Sequence, residues 1–221
     1  MKLSPEVIAR TALTLLTEVG LDGLTMRLVA KQLGVQASAL YWHLKNKQEL
    51  LDAMATIMFV EANEIVEAPR RDEPWEEWIV QRSTNLRGVM LRYRDGARVM
   101  AGTNVPGSVT TRTTELVLRT LQDAGFPLEY AARTYPVVYH YTVGFTIEEQ
   151  ARLGLDYADN PYVRDKLATR FDAARFPVTA SALPYLFDTN TDAGFEHGLR
   201  IILLGMRAGV SSPHSAAPGD E

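Results

Sequence analysis

Two short apolar-periodic segments joined by Leu33-Gly34-Val35 constrain this chain's fold more than any other feature. Thr25 precedes the first segment as an N-cap, and Leu28, Val29 and Leu33 recur along one side of it. Gly34 stops that helix, and a tight turn there calls for a residue that tolerates positive φ. After one more residue a second helix is expected from Gln36 to His43, and Asn46 closes the unit. Ala30 is small enough to let the two helices approach closely. An earlier helix starts at Ser4-Pro5, repeats Ile8, Ala12, Leu15, Leu16 and Val19 at helical spacing, and ends at Gly20. Leu28, Val29, Leu33, Val35, Leu40 and Leu44 form the expected core of this three-helix unit. The spacing fits a helix-turn-helix, and it equally fits an ordinary helical hairpin.

The remaining periodicity is helical as well. Helices are expected from Lys47 to Val66, Trp75 to Tyr93, Ala97 to Ala101, Ser108 to Ala124 and Leu128 to Leu153, the last with a candidate kink at Pro136. Residues 154–176 read as a polar, mobile loop, followed by helices near Thr179–Phe187 and Asp192–Ala208. No strand-type alternation and no internal repeat is present. The expected architecture is all-α: a helix-turn-helix DNA-binding domain (1–46), a connecting helix (47–66), a helical-bundle ligand-binding and dimerisation domain (67–209) and a disordered tail (210–221).

Composition narrows the function classes. The 221 residues include no cysteine, which excludes disulfides and thiolate metal sites and fits a reducing compartment. No signal-peptide pattern and no run of about 18 apolar residues occurs, so the expected setting is the cytoplasm, with no membrane partner. The net charge of −4 is unevenly spread. Residues 1–50 hold six Lys/Arg (Lys2, Arg10, Arg27, Lys31, Lys45, Lys47) against four acids (Glu6, Glu18, Asp22, Glu49). Of the chain's 23 basic and 27 acidic side chains, that leaves 17 against 23 for the rest. A mildly basic head on an acidic body suits docking on phosphates through the head.

The segment from Gln36 to His43 is the candidate recognition helix. Leu40 and Leu44 suffice to anchor it, and the other face is free to enter a major groove, which admits one α-helix. Gln36 can pair with a base or a phosphate, and Ala37, Ser38 and Ala39 can touch base edges or a thymine methyl. Tyr41, Trp42, His43 and Lys47 can reach phosphates, which set register rather than sequence preference. Thr25 and Arg27 start the preceding helix, placed for a phosphate and a guanine. The competing reading makes Tyr41 and Trp42 ordinary core aromatics.

The run from Leu24 to Val35, followed by Ala39-Leu40-Tyr41-Trp42-His43-Leu44-Lys45-Asn46-Lys47, closely resembles the TetR family of bacterial repressors, and within it the tetracycline-repressor branch. Tyr93-Arg94-Asp95-Gly96-Ala97-Arg98-Val99, the Gly102-Thr103 pair, Gly125–Glu129 and Gly144–Glu148 carry the likeness further. The resemblance implies a repressor released from a palindromic operator by a small molecule, with an efflux or resistance gene under its control. It implies phosphate contacts for Thr25 and Tyr41, base or backbone contacts for Arg27 and Gln36, and backbone bracing for Trp42 and Lys47. Ala37-Ser38-Ala39 departs from the branch's Gln-Pro-Thr, so a different operator is expected.

The branch's magnesium-ligating His is replaced here by Met100, a soft thioether unsuited to Mg²⁺. Asn63, Arg82 and Leu86 stand near where a His, an Asn and a Phe would be. No metal and no cofactor is therefore expected. Leu86, Met90, Met100, Val105, Tyr139 and Phe145 suggest an apolar pocket that accepts an aromatic ligand, with Asn63, Arg82, Thr103, His140 and Glu148 as its polar points. Each of these could equally be plain core. An enzyme reading finds His140 and Glu148 but no nucleophile, paired carboxylates or phosphate loop. The last helix carries Gly194, Gly198, Ile201 and Gly205 on one face and Ile202 on another, which suggests a homodimer built with the 128–153 helix. The alternatives are a ligand-blind repressor or activator of the same fold, and an enzyme whose helix-turn-helix is structural.

Overall fold

A computed structural model of the chain describes residues 2–64, 67–153, 172–186, 188 and 190–211. Among them are ten helices and no strand. In chain order they are α1 (Pro5–Gly23), α2 (Met26–Gln32), α3 (Ala37–Tyr41), α4 (Lys47–Asn63) and α5 (Trp75–Leu91). There follow α6 (Gly96–Met100), α7 (Gly107–Asp123), α8 (Leu128–Leu153), α9 (Pro177–Leu186) and α10 (Thr191–Ser211). Residues 212–221 of the tail expected at 210–221, most of the expected loop at 154–176, and Ile65, Val66 and Phe187 lie outside the described residues, while Val210 and Ser211 end α10 rather than begin a tail.

Local chemistry sets the helix starts in the head. Ser4 Oγ accepts from Val7 N, Thr25 Oγ1 from Leu28 N and Asn46 Oδ1 from Glu49 N, each satisfying an otherwise orphaned N–H. Glu49 reaches back to accept from Lys45 N at 2.7 Å, completing a reciprocal cap at α4. Gly34 holds φ +68°, as the turn between α2 and α3 requires. Gly20 breaks α1 as expected, also at φ +68°, but the chain recovers one more helical turn to Gly23. Val35 departs from its expected place in the core: it sits on the surface, because the turn carries its side chain past α2. The expected third helix is shorter, its last residues forming a turn before α4.

Two cores organise the chain. The first is filled by Ile8, Leu16, Leu24, Val29, Leu40, Leu50, Met54 and Met58, and it runs without interruption into Met90, Val99 and Met100 of α5 and α6. Head and body therefore share apolar packing through α4. The second core joins α5, α7, α8 and α10 through Trp78, Ile79, Val117, Leu121, Phe195 and Leu199.

Arg87 clamps three helices of the body. Its guanidinium donates to both carboxylate oxygens of Glu149 on α8, at 2.7 and 2.6 Å, and to Asp192 on α10 at 2.7 Å. Phe195 and Phe145 lie against its face, 5.1 and 5.9 Å from centroid to guanidinium carbon. The Arg87 and Glu149 side chains are only 6% and 3% exposed. Removing one member strands the other's charge in the core. Arg87→Ala is expected to cost about 3–5 kcal/mol in urea denaturation, and Arg87→Met with Glu149→Leu to recover most of that loss.

Candidate DNA-binding face and ligand cleft

α3 is anchored by Leu40, fully buried, with Leu44 just beyond it. Most of the other residues that could read DNA are turned outward. Trp42 is 88% exposed and Tyr41 48%, so neither is a core aromatic. Thr25, Arg27, Gln36, Ser38 and His43 are exposed alongside them. Ala37 and Ala39 are half-buried on the flank of α3, with Ala37 packed against the first core. Thr25's hydroxyl oxygen accepts the Leu28 N–H and keeps its own proton free to donate to a phosphate. Lys47 is exposed, but its Nζ donates to the Leu21 carbonyl at 3.1 Å, tying the start of α4 to the break in α1.

That break is also gripped from the body. The Arg94-Asp95-Gly96 turn sits against it, with Asp95 in the left-handed region at φ +58°. Asp95 Oδ2 accepts the Leu21 N–H at 2.8 Å, and Arg94 donates to the Glu18 carbonyl at 3.3 Å. Arg98 pairs with Asp22 at 3.3 Å and with Asp95 at 3.2 Å. Hydrogen bonding by Arg98 holds the Asp22 carboxyl below its usual range. The turn is in turn pinned to α8, where Gln150 donates to the carbonyls of Met90 and Tyr93 and accepts from Ala97 N. Gly96 permits this approach, since a Cβ there would collide with the Met90 carbonyl. The sequence carries no local signal for a contact between residues 74 apart.

A narrow cleft of about 30 Å³ opens between α4, α5 and α8. Of the expected ligand residues, Asn63, Arg82, Leu86 and Tyr139 line it. Phe59, Ile79, Ser83, Tyr135 and Thr142 complete it at three- or four-residue steps from these on the same helices, with Ala62 and Val138 adjoining Asn63 and Tyr139. The other expected residues stand elsewhere. Met90 and Met100 are buried in the first core, and Val105 packs against it. Thr103 donates to the Met100 carbonyl at 3.0 Å. Phe145 packs against Phe195 and Tyr141 in the second core. His140 and Glu148 are exposed, because α8 turns their face away from the cleft.

The expected dimer residues divide in the same way. Gly194, Ile201 and Gly205 are exposed on α10, beside Leu204. Gly198 instead makes room for the ring of Tyr141 of the same chain, whose hydroxyl donates to the Phe195 carbonyl at 2.9 Å. Ile202 packs against the second core. Among the described residues no helix is long and apolar enough to cross a membrane, and no group of three or more His, Asp or Glu is placed to hold a metal ion.

Comparison with known proteins agrees with this layout. Residues 8–54 match the family described as bacterial regulatory proteins, tetR family, and residues 68–210 match the tetracyclin repressor-like C-terminal domain. The chain is 39% identical over 205 residues to the tetracycline repressor protein class A from transposon 1721 of Escherichia coli, covering 93% of this chain and 91% of that one. A crystal structure of a possible TetR family transcriptional regulator from Streptomyces coelicolor A3(2) superposes with a TM-score of 0.82 at 40% identity, covering 93% of this chain and all of that one. The S. coelicolor TetR family protein ActR, solved in complex with actinorhodin, superposes with a TM-score of 0.80 at 30% identity, covering 97% and 99% of the two chains. The chain under study belongs to the TetR family of bacterial regulatory proteins.

Proposed function

We propose that this chain is a ligand-responsive transcriptional repressor that acts in the cytoplasm as a homodimer on a palindromic operator and controls an efflux or resistance gene. The observation that carries the reading is the exposure of Tyr41 and Trp42 on a helix held by Leu40. Two large aromatics kept out of a core that could have taken them are best accounted for by a partner outside the chain. Thr25, Arg27, Gln36, Ser38 and His43 surround them with hydrogen-bonding and charged groups suited to phosphates and base edges. The likeness to tetracycline repressors and to a protein solved with actinorhodin supports control by a small molecule, without catalysis.

Exposed Val137 on α8 and Ile201 and Leu204 on α10 supply the apolar surface for a two-fold partner. A dimer offers two recognition helices, and half-sites about 34–36 Å apart, one turn of DNA, would be read together. Ligand in the cleft touches α4 directly, and α4 carries the head. A body state that changes the grip of Asp95 and Arg98 on α1 would re-aim the head, and DNA and ligand would then weaken each other by one shared factor. With Met100 buried in the first core, no metal is needed in this scheme.

The test is fluorescence anisotropy with the duplex upstream of this protein's own gene against a scrambled duplex across a salt series. The expected preference is about a thousandfold or more, with affinity falling steeply with salt. Equal weak binding to both duplexes, and to fragments from neighbouring promoters, would refute the reading. Tyr41→Ala and Trp42→Ala are each expected to lower operator affinity about tenfold or more, with the melting temperature almost unchanged because both side chains are exposed. Arg27→Ala is expected to reduce the salt slope by about one.

A further inference from the structure

Two arginines of α5, Arg87 buried and Arg82 half-buried, are treated differently. Arg87 has Glu149 and Asp192 as counter-charges. Arg82, on the wall of the cleft, has no carboxylate within ion-pair distance among the described residues. Its Nη2 donates to Asn63 Oδ1 at 2.8 Å, the Tyr135 hydroxyl is its other hydrogen-bonding neighbour, and its guanidinium lies 4.8 Å from the Trp78 ring centroid. All of these are neutral. The Asn63 Oδ1 is already fully engaged, because it also takes the Thr113 hydroxyl, and its Nδ2 donates to the Phe59 carbonyl. Burial presses the Arg82 pKa below its usual value, but a guanidinium stays charged at any physiological pH. The cleft therefore carries a half-buried positive charge whose described partners are all neutral, walled by Phe59, Tyr135 and Tyr139.

We infer that the ligand of this cleft is an aromatic molecule carrying an ionised acidic oxygen, most simply a carboxylate, which docks on Arg82. The inference rests on the reading of the cleft as the regulatory site. A carboxylate accepts two parallel N–H bonds from a guanidinium and supplies the counter-charge that the described residues do not provide. A cation, including a metal chelate of net positive charge, is repelled by the same group. The Arg82–Asn63 bond lies at the last turn of α4, so an anion that draws Arg82 away loosens the helix that carries the head.

Calorimetry with matched probes tests this: 2-naphthoate against 2-naphthamide, and anthraquinone-2-carboxylate against its carboxamide, on the full-length wild type, Arg82→Gln and Arg82→Lys. The acids are expected to bind the wild type at least about tenfold more tightly than the amides. Arg82→Gln should abolish the preference, and Arg82→Lys, which keeps the charge but not the fork, should retain part of it. Failure of both acids to bind, equal binding of acid and amide, or a preference that survives Arg82→Gln would overturn the inference. Operator anisotropy with the same probes separates it from the regulatory reading. Acids that bind through Arg82 but release no DNA uphold the anion site and count against ligand control. Release by acids and amides alike upholds ligand control and overturns the anion site.

Discussion

The peptide of Leu21 is held at both ends, and the position of the head depends on that grip. Gly20 breaks α1, which leaves the Leu21 N–H without a helical partner, and a buried or half-buried amide cannot stay unpaired cheaply. The body supplies the missing acceptor through Asp95, while Lys47 from the first turn of α4 takes the Leu21 carbonyl. Arg98 reinforces the joint through Asp22 and Asp95. These latter contacts are exposed and individually weak. Their value lies in direction: they fix the angle at which a rigid three-helix head leaves the body. A joint made of a few replaceable polar contacts, laid over a continuous apolar core, can shift without unfolding either part.

The body uses charge in two ways. Arg87 is fully neutralised, forked onto Glu149 and sandwiched by aromatics, and it fixes α5, α8 and α10 in register. Arg82 is one and a half turns earlier on the same helix, against the cleft, and its partners are all neutral. An arginine paired to carboxylates and one with neutral partners thus share a single helix, the second beside the cleft. The cleft side touches the end of α4, whose start touches Leu21. The cleft and the exposed face of α3 are thus connected by one helix and one turn.

Much of this was legible in the sequence wherever the cause was local. Ser4, Thr25 and Asn46 cap the helices they precede, and Gly34 adopts the positive φ its turn demands. The resemblance to the TetR family picked out residues that the structure turns outward around α3, and Asn63, Arg82 and Leu86 of the cleft. What was not legible depended on which face of each helix turned inward. Tyr139 lines the cleft while His140, its neighbour, faces outward, a difference of about 100° that no single helix can announce. Gly198 looked like part of a dimer seam and instead receives Tyr141 from 57 residues earlier in the chain. Asp95 and Gln150 act across long sequence separations, and nothing beside them in the chain signals it.

The central claim is that the body aims the head through the Asp95–Arg98 grip on α1. The chain has no cysteine, so Gln32→Cys, exposed at the end of α2, places one spin label on each head of a dimer. Pulsed dipolar spectroscopy then reads a single head-to-head distance distribution. The account predicts a narrow distribution in the otherwise native protein. With Asp95→Ala and Arg98→Ala added, it predicts a clearly broader or displaced distribution, together with weaker operator binding. An unchanged distribution in the folded variant would contradict it and leave the apolar core alone to orient the heads.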